Sequence, residues 1–156
     1  MVTLDRQRIS PDVMDDGEAG MLRLPRVTLA EMLAHVEAGY PNEACGVLAG
    51  DAAGRVTRHF PAVNAAQTPR TFSEVAPEEL LAIWNELDAR DWEMLAYYHS
   101  HPESPAYPSP RDVCWSQNWP GMFYIIFSLA APDAPVVRAF LISGADISEY
   151  RIMLEG

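Results

Sequence analysis

Apolar and polar positions divide the chain into segments of two periods. After Thr28, residues Leu29, Met32, Leu33 and Val36 recur at helical spacing, and Thr28 with Glu31 three residues on forms a capping-box signature. A helix is therefore expected from Thr28 to about Ala38, ended by Gly39. "GMLRLP" before it is a short strand candidate. "EACGVLAGD" and "RVTRHFPAV", joined by a glycine-bearing turn at Ala52 to Gly54, predict a β-hairpin with Cys45, Val47 and Ala49 on one face of its first strand. In "APEELLAIWNELDARDW" the positions Leu80, Leu81, Trp84 and Leu87 share one face of a second amphipathic helix. "EMLAYYHSH" follows as a strand, then a proline-rich loop, a short helix from Ser109, the apolar strand "MFYIIFSLA", and two closing strands, "PVVRAFLI" and "SEYRIML". Helices and strands alternate irregularly and hairpins intervene, which predicts an α+β fold on a mixed sheet. Residues 1 to 20 mix charges with little apolar periodicity and read as a mobile N-terminal extension; residues 21 to 156 are expected to form one domain.

Composition narrows the partners. With 22 acidic against 11 basic residues the formal charge is -11, which argues against nucleic acid, whose binding rests on Lys and Arg neutralising phosphates. The longest apolar run, Met122 to Ala131, is interrupted by Ser128 and closes at Pro132, too short for a membrane span. Two cysteines make no disulfide framework, and no basic n-region leads into an apolar h-region at the N-terminus. A soluble, cytoplasmic protein is expected. At 156 residues it can bury a core without metal or disulfide support, so any metal-binding pattern calls for an explanation other than folding.

Such a pattern lies in "YYHSHPESPAYPSPRDVCW". Side chains alternate across a strand, so His99 and His101 point to one face and Ser100 to the other. The loop Pro102 to Pro108 turns the chain back, and Asp112 falls in the first turn of the next helix, placed to be a third ligand. Two imidazoles and a carboxylate leave a tetrahedral zinc one open position for water, the arrangement of catalytic rather than structural sites. The water becomes a nucleophile near neutral pH but still needs a base. "SPRD" also has a purely structural explanation. Ser109 suits the N-cap, Pro110 suits N1, and Asp112 at N3 favours the helix dipole. Chance alone would place these five residue types at these offsets with a frequency on the order of 10⁻⁵ per chain. The cap and the metal site are compatible, with Ser109 capping the helix while turning its hydroxyl towards the metal.

His99-Ser100-His101-Pro102, six residues, Ser109, two residues and Asp112 together resemble the H-x-H-P-x6-S-x2-D motif of the JAMM or MPN+ zinc metallopeptidases. "YPNEACGVLAG" resembles the segment in which that family carries a glutamate before a small-residue strand, closest to the small stand-alone prokaryotic members. The resemblance runs from about Met21 to the C-terminus. It implies a curved, mixed, mostly antiparallel sheet flanked by helices, the MPN fold, similar to the cytidine-deaminase-like fold. It further implies one Zn²⁺ on His99, His101 and Asp112, with Glu43 as general base and Ser109 as donor to the developing oxyanion. Without it Glu43 reads as a solvent-facing residue at a strand entrance.

The implied reaction is hydrolysis of a peptide or isopeptide bond, at the C-terminal tail of a ubiquitin-like or sulfur-carrier protein. An unrelated peptide or small amide substrate, and a non-catalytic MPN interaction module, are the alternatives; the complete ligand set and Glu43 count against the module. Base deamination is disfavoured because no Pro-Cys-x-x-Cys is present. Family members often self-associate, so a homodimer is an option the resemblance allows. Of the neighbouring residues, Cys45 and Cys114 read as structural, Trp115 and Trp119 as core cover, His59 as a strand or surface residue, and Tyr107 as a candidate for substrate contact.

Overall fold

The computed structural model describes residues 3, 4 and 21 to 156. Apart from residues 3 and 4, the N-terminal extension lies outside the described residues. In chain order the elements are β1 (Thr3–Leu4), β2 (Leu22–Pro25), α1 (Arg26–Gly39), β3 (Cys45–Gly50), β4 (Val56–Ala62), α2 (Pro77–Arg90), β5 (Glu93–His101), α3 (Pro110–Ser116), β6 (Phe123–Ser128), β7 (Val136–Ser143), β8 (Asp146–Tyr150) and β9 (Ile152–Glu155). The main sheet runs β1-β7-β6-β5-β3-β4, and β8 also pairs with β7. Antiparallel pairing dominates; β5–β6 and β1–β7 are the parallel exceptions. The mixed, mostly antiparallel α+β architecture expected from the sequence is present.

Period-two alternation on the central strands feeds two cores, one on each face of the sheet. Ala96, Tyr98, Ile125 and Phe127 face α1 and the parallel ribbon β2–β9, packing on Leu29, Met32 and Val36 and on Leu22, Leu24 and Ile152. Tyr97, Tyr124 and Ile126 face the other way, with Cys45, Val47 and Ala49 of β3 and Ile83 and Leu87 of α2. Gly46 leaves room for the Tyr98 ring that lies across it from β5: a Cβ there would meet that ring at 2.4 Å. Pro61, which cannot donate to a ladder, is tolerated because β4 is an edge strand. The β3–β4 turn closes as expected, with Asp51 Oδ1 accepting the Ala53 and Arg55 N–H groups and Gly54 at φ +83°.

Three local expectations need correction. The first helix starts at Arg26, with Pro25 as N-cap and no side-chain cap bond, so Thr28 and Glu31 form no capping box. β2 runs straight into α1, and its pairing with β9 through Pro25 sets the start before Thr28. On α2 the buried positions are Ile83 and Leu87, with Leu80 packed beside them; Leu81 and Trp84 are exposed. Trp84 instead stacks on Trp119 at 6.2 Å. "SEYRIML" is two strands broken at Arg151: β8 pairs with β7, whereas β9 leaves the sheet for β2, and the Arg151 carbonyl accepts the Leu22 N–H at 3.1 Å.

The parallel pairing of β5 and β6 places the site. Parallel neighbours require a crossover connection, and here it consists of the proline loop and α3. The crossover carries α3 onto the face that holds Tyr97, His99 and His101. Asp112 is thereby brought over the C-terminal end of β5.

Candidate metal centre

His99 and His101 occupy the last turn of the β5 pleat, on one face, and both are buried. Asp112 arrives from α3 through the expected cap: Ser109 Oγ accepts the Asp112 N–H at 3.1 Å, and Asp112 Oδ2 accepts the Ser109 N–H at 2.8 Å. This reciprocal pair fixes the carboxylate as well as the helix start. Three ligand atoms converge as a result. His99 Nε2 lies 3.1 Å from His101 Nε2 and 3.2 Å from Asp112 Oδ1, and His101 Nε2 lies 3.1 Å from Asp112 Oδ2.

The donor set fits a small cation. Bonds of about 2.0–2.1 Å in a tetrahedral zinc site separate neighbouring ligand atoms by about 3.3 Å, close to the spacing here. His101 Nδ1–H donates to the Pro105 carbonyl at 2.8 Å, which leaves the Nε2 lone pair facing His99. Two buried imidazole nitrogens and a carboxylate pointed at one spot make little sense without positive charge between them. Among the described residues, His99, His101 and Asp112 form the one cluster of three or more His, Cys, Asp or Glu side chains with metal-ligand convergence.

Electrostatics follow the same geometry. Burial works to raise the Asp112 carboxyl, but the His99 charge, hydrogen bonds from both histidines and the Ser109 N–H outweigh it and hold the carboxyl well below the usual range. Burial opposes protonation of His101, yet its bonds to Asp112 and the Pro105 carbonyl raise it overall. Glu43 is not a strand-entrance residue open to solvent. It is only 7 % exposed, and burial pushes its carboxyl up to about 7 against the lowering effect of His99 and His101. A carboxyl in that range can take up a proton and return it at neutral pH.

Backbone pairing explains how Glu43 reaches the histidines across more than fifty residues of sequence. β3 and β5 are antiparallel neighbours with Cys45 opposite His99. One residue beyond the ladder, Ser100 binds the backbone of Ala44, and Glu43 follows at the mouth of the site. Cys45 is a packing thiol, fully buried, with burial pushing it up to about 12. Cys114, by contrast, is exposed on α3, so its structural assignment does not hold. Trp115 and Trp119 cover the core as expected. Tyr107 is 48 % exposed in the loop between the ligands, its ring edge-on to Phe140. His59, on β4, lies behind the sheet with Nε2 2.7 Å from the Tyr98 hydroxyl.

Sequence reasoning missed Asn64. The segment from Asn64 to Arg70 reads as a polar loop, yet the Asn64 Nδ2 donates to the Glu43 carbonyl at 2.8 Å. The one signal was an Asn closing a strand before a long turn-rich connection, a pattern common to many loops.

Residues 25–143 match the family model described as prokaryotic homologs of the JAB domain. The chain belongs to that family. Relatives of this prokaryotic JAB domain include the CysO-cysteine peptidase of Mycobacterium tuberculosis, 35% identical over 76% of this chain and 80% of the relative. The desampylase of Haloferax volcanii is 40% identical over 74% of this chain and 80% of the relative. A solution structure of a protein from Desulfitobacterium hafniense superimposes with a TM-score of 0.78 at 38% identity, covering 86% of this chain and 93% of that one. By family and by its named relatives the JAB domain described here is a JAMM-type hydrolase, and its His99–His101–Asp112 cluster can hold the metal ion on which that family depends. No helix among the described residues is long and apolar enough to cross a membrane.

Proposed function

We propose that the protein is a cytosolic zinc peptidase that cuts at the C-terminal tail of a small ubiquitin-like or sulfur-carrier protein. The observation that carries the reading is the convergence of His99, His101 and Asp112 with a buried carboxyl, Glu43, held beside them by the β3–β5 pairing. The relatives named for peptidase and desampylase activity support the substrate class.

In this reading His99, His101 and Asp112 hold zinc, which supplies a Lewis acid for the scissile carbonyl and lowers the pKa of a water towards roughly 7. Glu43 takes a proton from the attacking water at its carboxylate and passes it to the leaving amine. Ser109 has its Oγ engaged as acceptor by the Asp112 N–H, so its own O–H remains to donate to the carbonyl oxygen as negative charge grows there. The His101 Nδ1 bond to Pro105 keeps the imidazole in the tautomer that presents Nε2.

The test is cleavage of small carrier proteins encoded beside this gene, each extended at its C-terminus by one cysteine or joined there to a lysine side chain. Zinc-loaded wild type should release the extension, and Glu43→Gln should keep its zinc and release none. Retained activity in Glu43→Gln would remove Glu43 from the mechanism, and intact zinc with no cleavage of any carrier would remove the substrate class.

A further inference from the structure

The β3–β4 ladder ends with Cys45 opposite Ala62, and two residues further along each strand Glu43 would face Asn64. Backbone pairing does not reach that far. Asn64 instead forms a backbone bridge with Val75, and its side chain takes over the link to Glu43, with Nδ2 donating to the Glu43 carbonyl at 2.8 Å. The Glu43 N–H goes to the Pro69 carbonyl at 2.7 Å, in the loop that follows Asn64. Both backbone groups of Glu43 are therefore held by one segment.

The same amide shapes that segment. Nδ2 also donates to the Phe72 carbonyl at 2.9 Å, and Oδ1 accepts the Ala66 and Glu74 N–H groups at 3.0 and 3.1 Å. A primary amide offers two donor hydrogens and two acceptor lone pairs, and here all four serve backbone groups. From the pinned segment Phe72 reaches α3. Its ring meets Trp115 edge-on with centroids 6.2 Å apart, and the Arg111 guanidinium lies 4.5 Å from the ring centroid. Arg111 and Trp115 flank Asp112 on that helix. One side chain, Asn64, thus connects the backbone of Glu43 with the helix that delivers the third ligand.

We propose that Asn64 is a positioning residue that sets where Glu43 stands relative to His99, His101 and Asp112. The inference rests on the reading of Glu43 as the base. The β3–β5 pairing alone stops short of Glu43, since its ladder ends at Cys45 and His99 and the Ser100 bonds go to Ala44. A base has to meet the attacking water and then the leaving amine, and a misplacement of about 1 Å can cost roughly 100-fold in rate. If Asn64 served only to close its loop, its loss would lower stability and leave the turnover of folded enzyme unchanged.

The experiment compares zinc-loaded wild type, Asn64→Ala and Asn64→Asp on the cysteine-extended carrier. Tyr98→Phe is the control, because it loses a hydrogen bond to His59 on the opposite face of the sheet. Zinc content, Tm, kcat and KM are measured for each, and crystal structures of wild type and Asn64→Asp report the place of Glu43 independently of activity. Both Asn64 variants lose the donor to Glu43, and only Asp adds a charge. Both should lower kcat by about 10–100-fold with KM and zinc content unchanged. In the Asn64→Asp structure Glu43 should be displaced while His99, His101 and Asp112 stay in place. Tyr98→Phe should lower Tm and keep kcat. Wild-type kcat in both Asn64 variants, a loss in Asn64→Asp alone, an equal loss in Tyr98→Phe, or failure of both Asn64 variants to fold would overturn the proposal. If Glu43→Gln turned over like wild type, or no carrier were cut, the reading of the site would fail instead, and the place of Glu43 in Asn64→Asp would still decide the positioning claim.

Discussion

Ser100 takes both backbone groups of Ala44: its N–H donates to the Ala44 carbonyl at 3.0 Å, and its Oγ accepts the Ala44 N–H at 2.9 Å. The residue between the two histidines, which points to the opposite face, thereby fixes the step that leads to Glu43. In the His-x-His pattern the middle position reads as filler; here it ties the Glu43 segment to the strand that carries the two histidines.

Replacing Ser100 by alanine strands the buried Ala44 N–H without an acceptor. The expected cost is about 1–3 kcal/mol of unfolding free energy, read from urea denaturation. A cost near zero would mean that the Ala44 contact does not anchor this end of β3.

Ser109→Ala separates the cap from the ligands. The change should cost about 1 kcal/mol of stability through the lost N-cap bond, and it should slow hydrolysis while zinc remains bound, because all three side chains are kept and the backbone N–H of position 109 still holds the Asp112 carboxylate. Denaturation, metal analysis and turnover on the carrier substrate check the three parts separately. Full turnover in the variant would remove Ser109 from the chemistry and leave it as a cap.

The rotated face of α2 is testable by stability alone. Leu87 is 1 % exposed and Leu81 is 61 % exposed. Leu87→Ala should therefore cost about 2–5 kcal/mol, as buried leucines do, whereas Leu81→Ala should stay within about 0.5 kcal/mol, as surface changes do. Equal costs at the two positions would restore the face expected from the spacing of Leu80, Leu81, Trp84 and Leu87.

Much of the site was legible because its causes are local. The bounds of β5 match the strand candidate "EMLAYYHSH", and the reciprocal Ser109–Asp112 bonds follow from an N-cap and N3 pair that any helix start favours. Period also explains why Leu29, Met32 and Val36 lie in the core. Where the reading failed, a distant partner decided the outcome. Thr28 and Glu31 carry a sound capping signature, yet β9, from the far end of the chain, captures Pro25 and starts the helix early. α2 carries enough apolar residues for two overlapping faces, and contact with the sheet selects Ile83 over Leu81. Asn64 holds the Glu43 carbonyl across 21 positions of sequence, a range over which neither spacing nor propensity carries information. Glu43 itself was placed by resemblance to the JAMM family, since nothing local distinguishes it from an exposed glutamate.

Metal content tests the central claim most directly. Wild-type protein purified without added metal, analysed by elemental spectroscopy beside His101→Ala, should carry about one zinc per chain, and the variant should carry none, because two remaining ligands do not hold the ion. Equal zinc in the two proteins, or none in the wild type after exposure to zinc, would contradict the account.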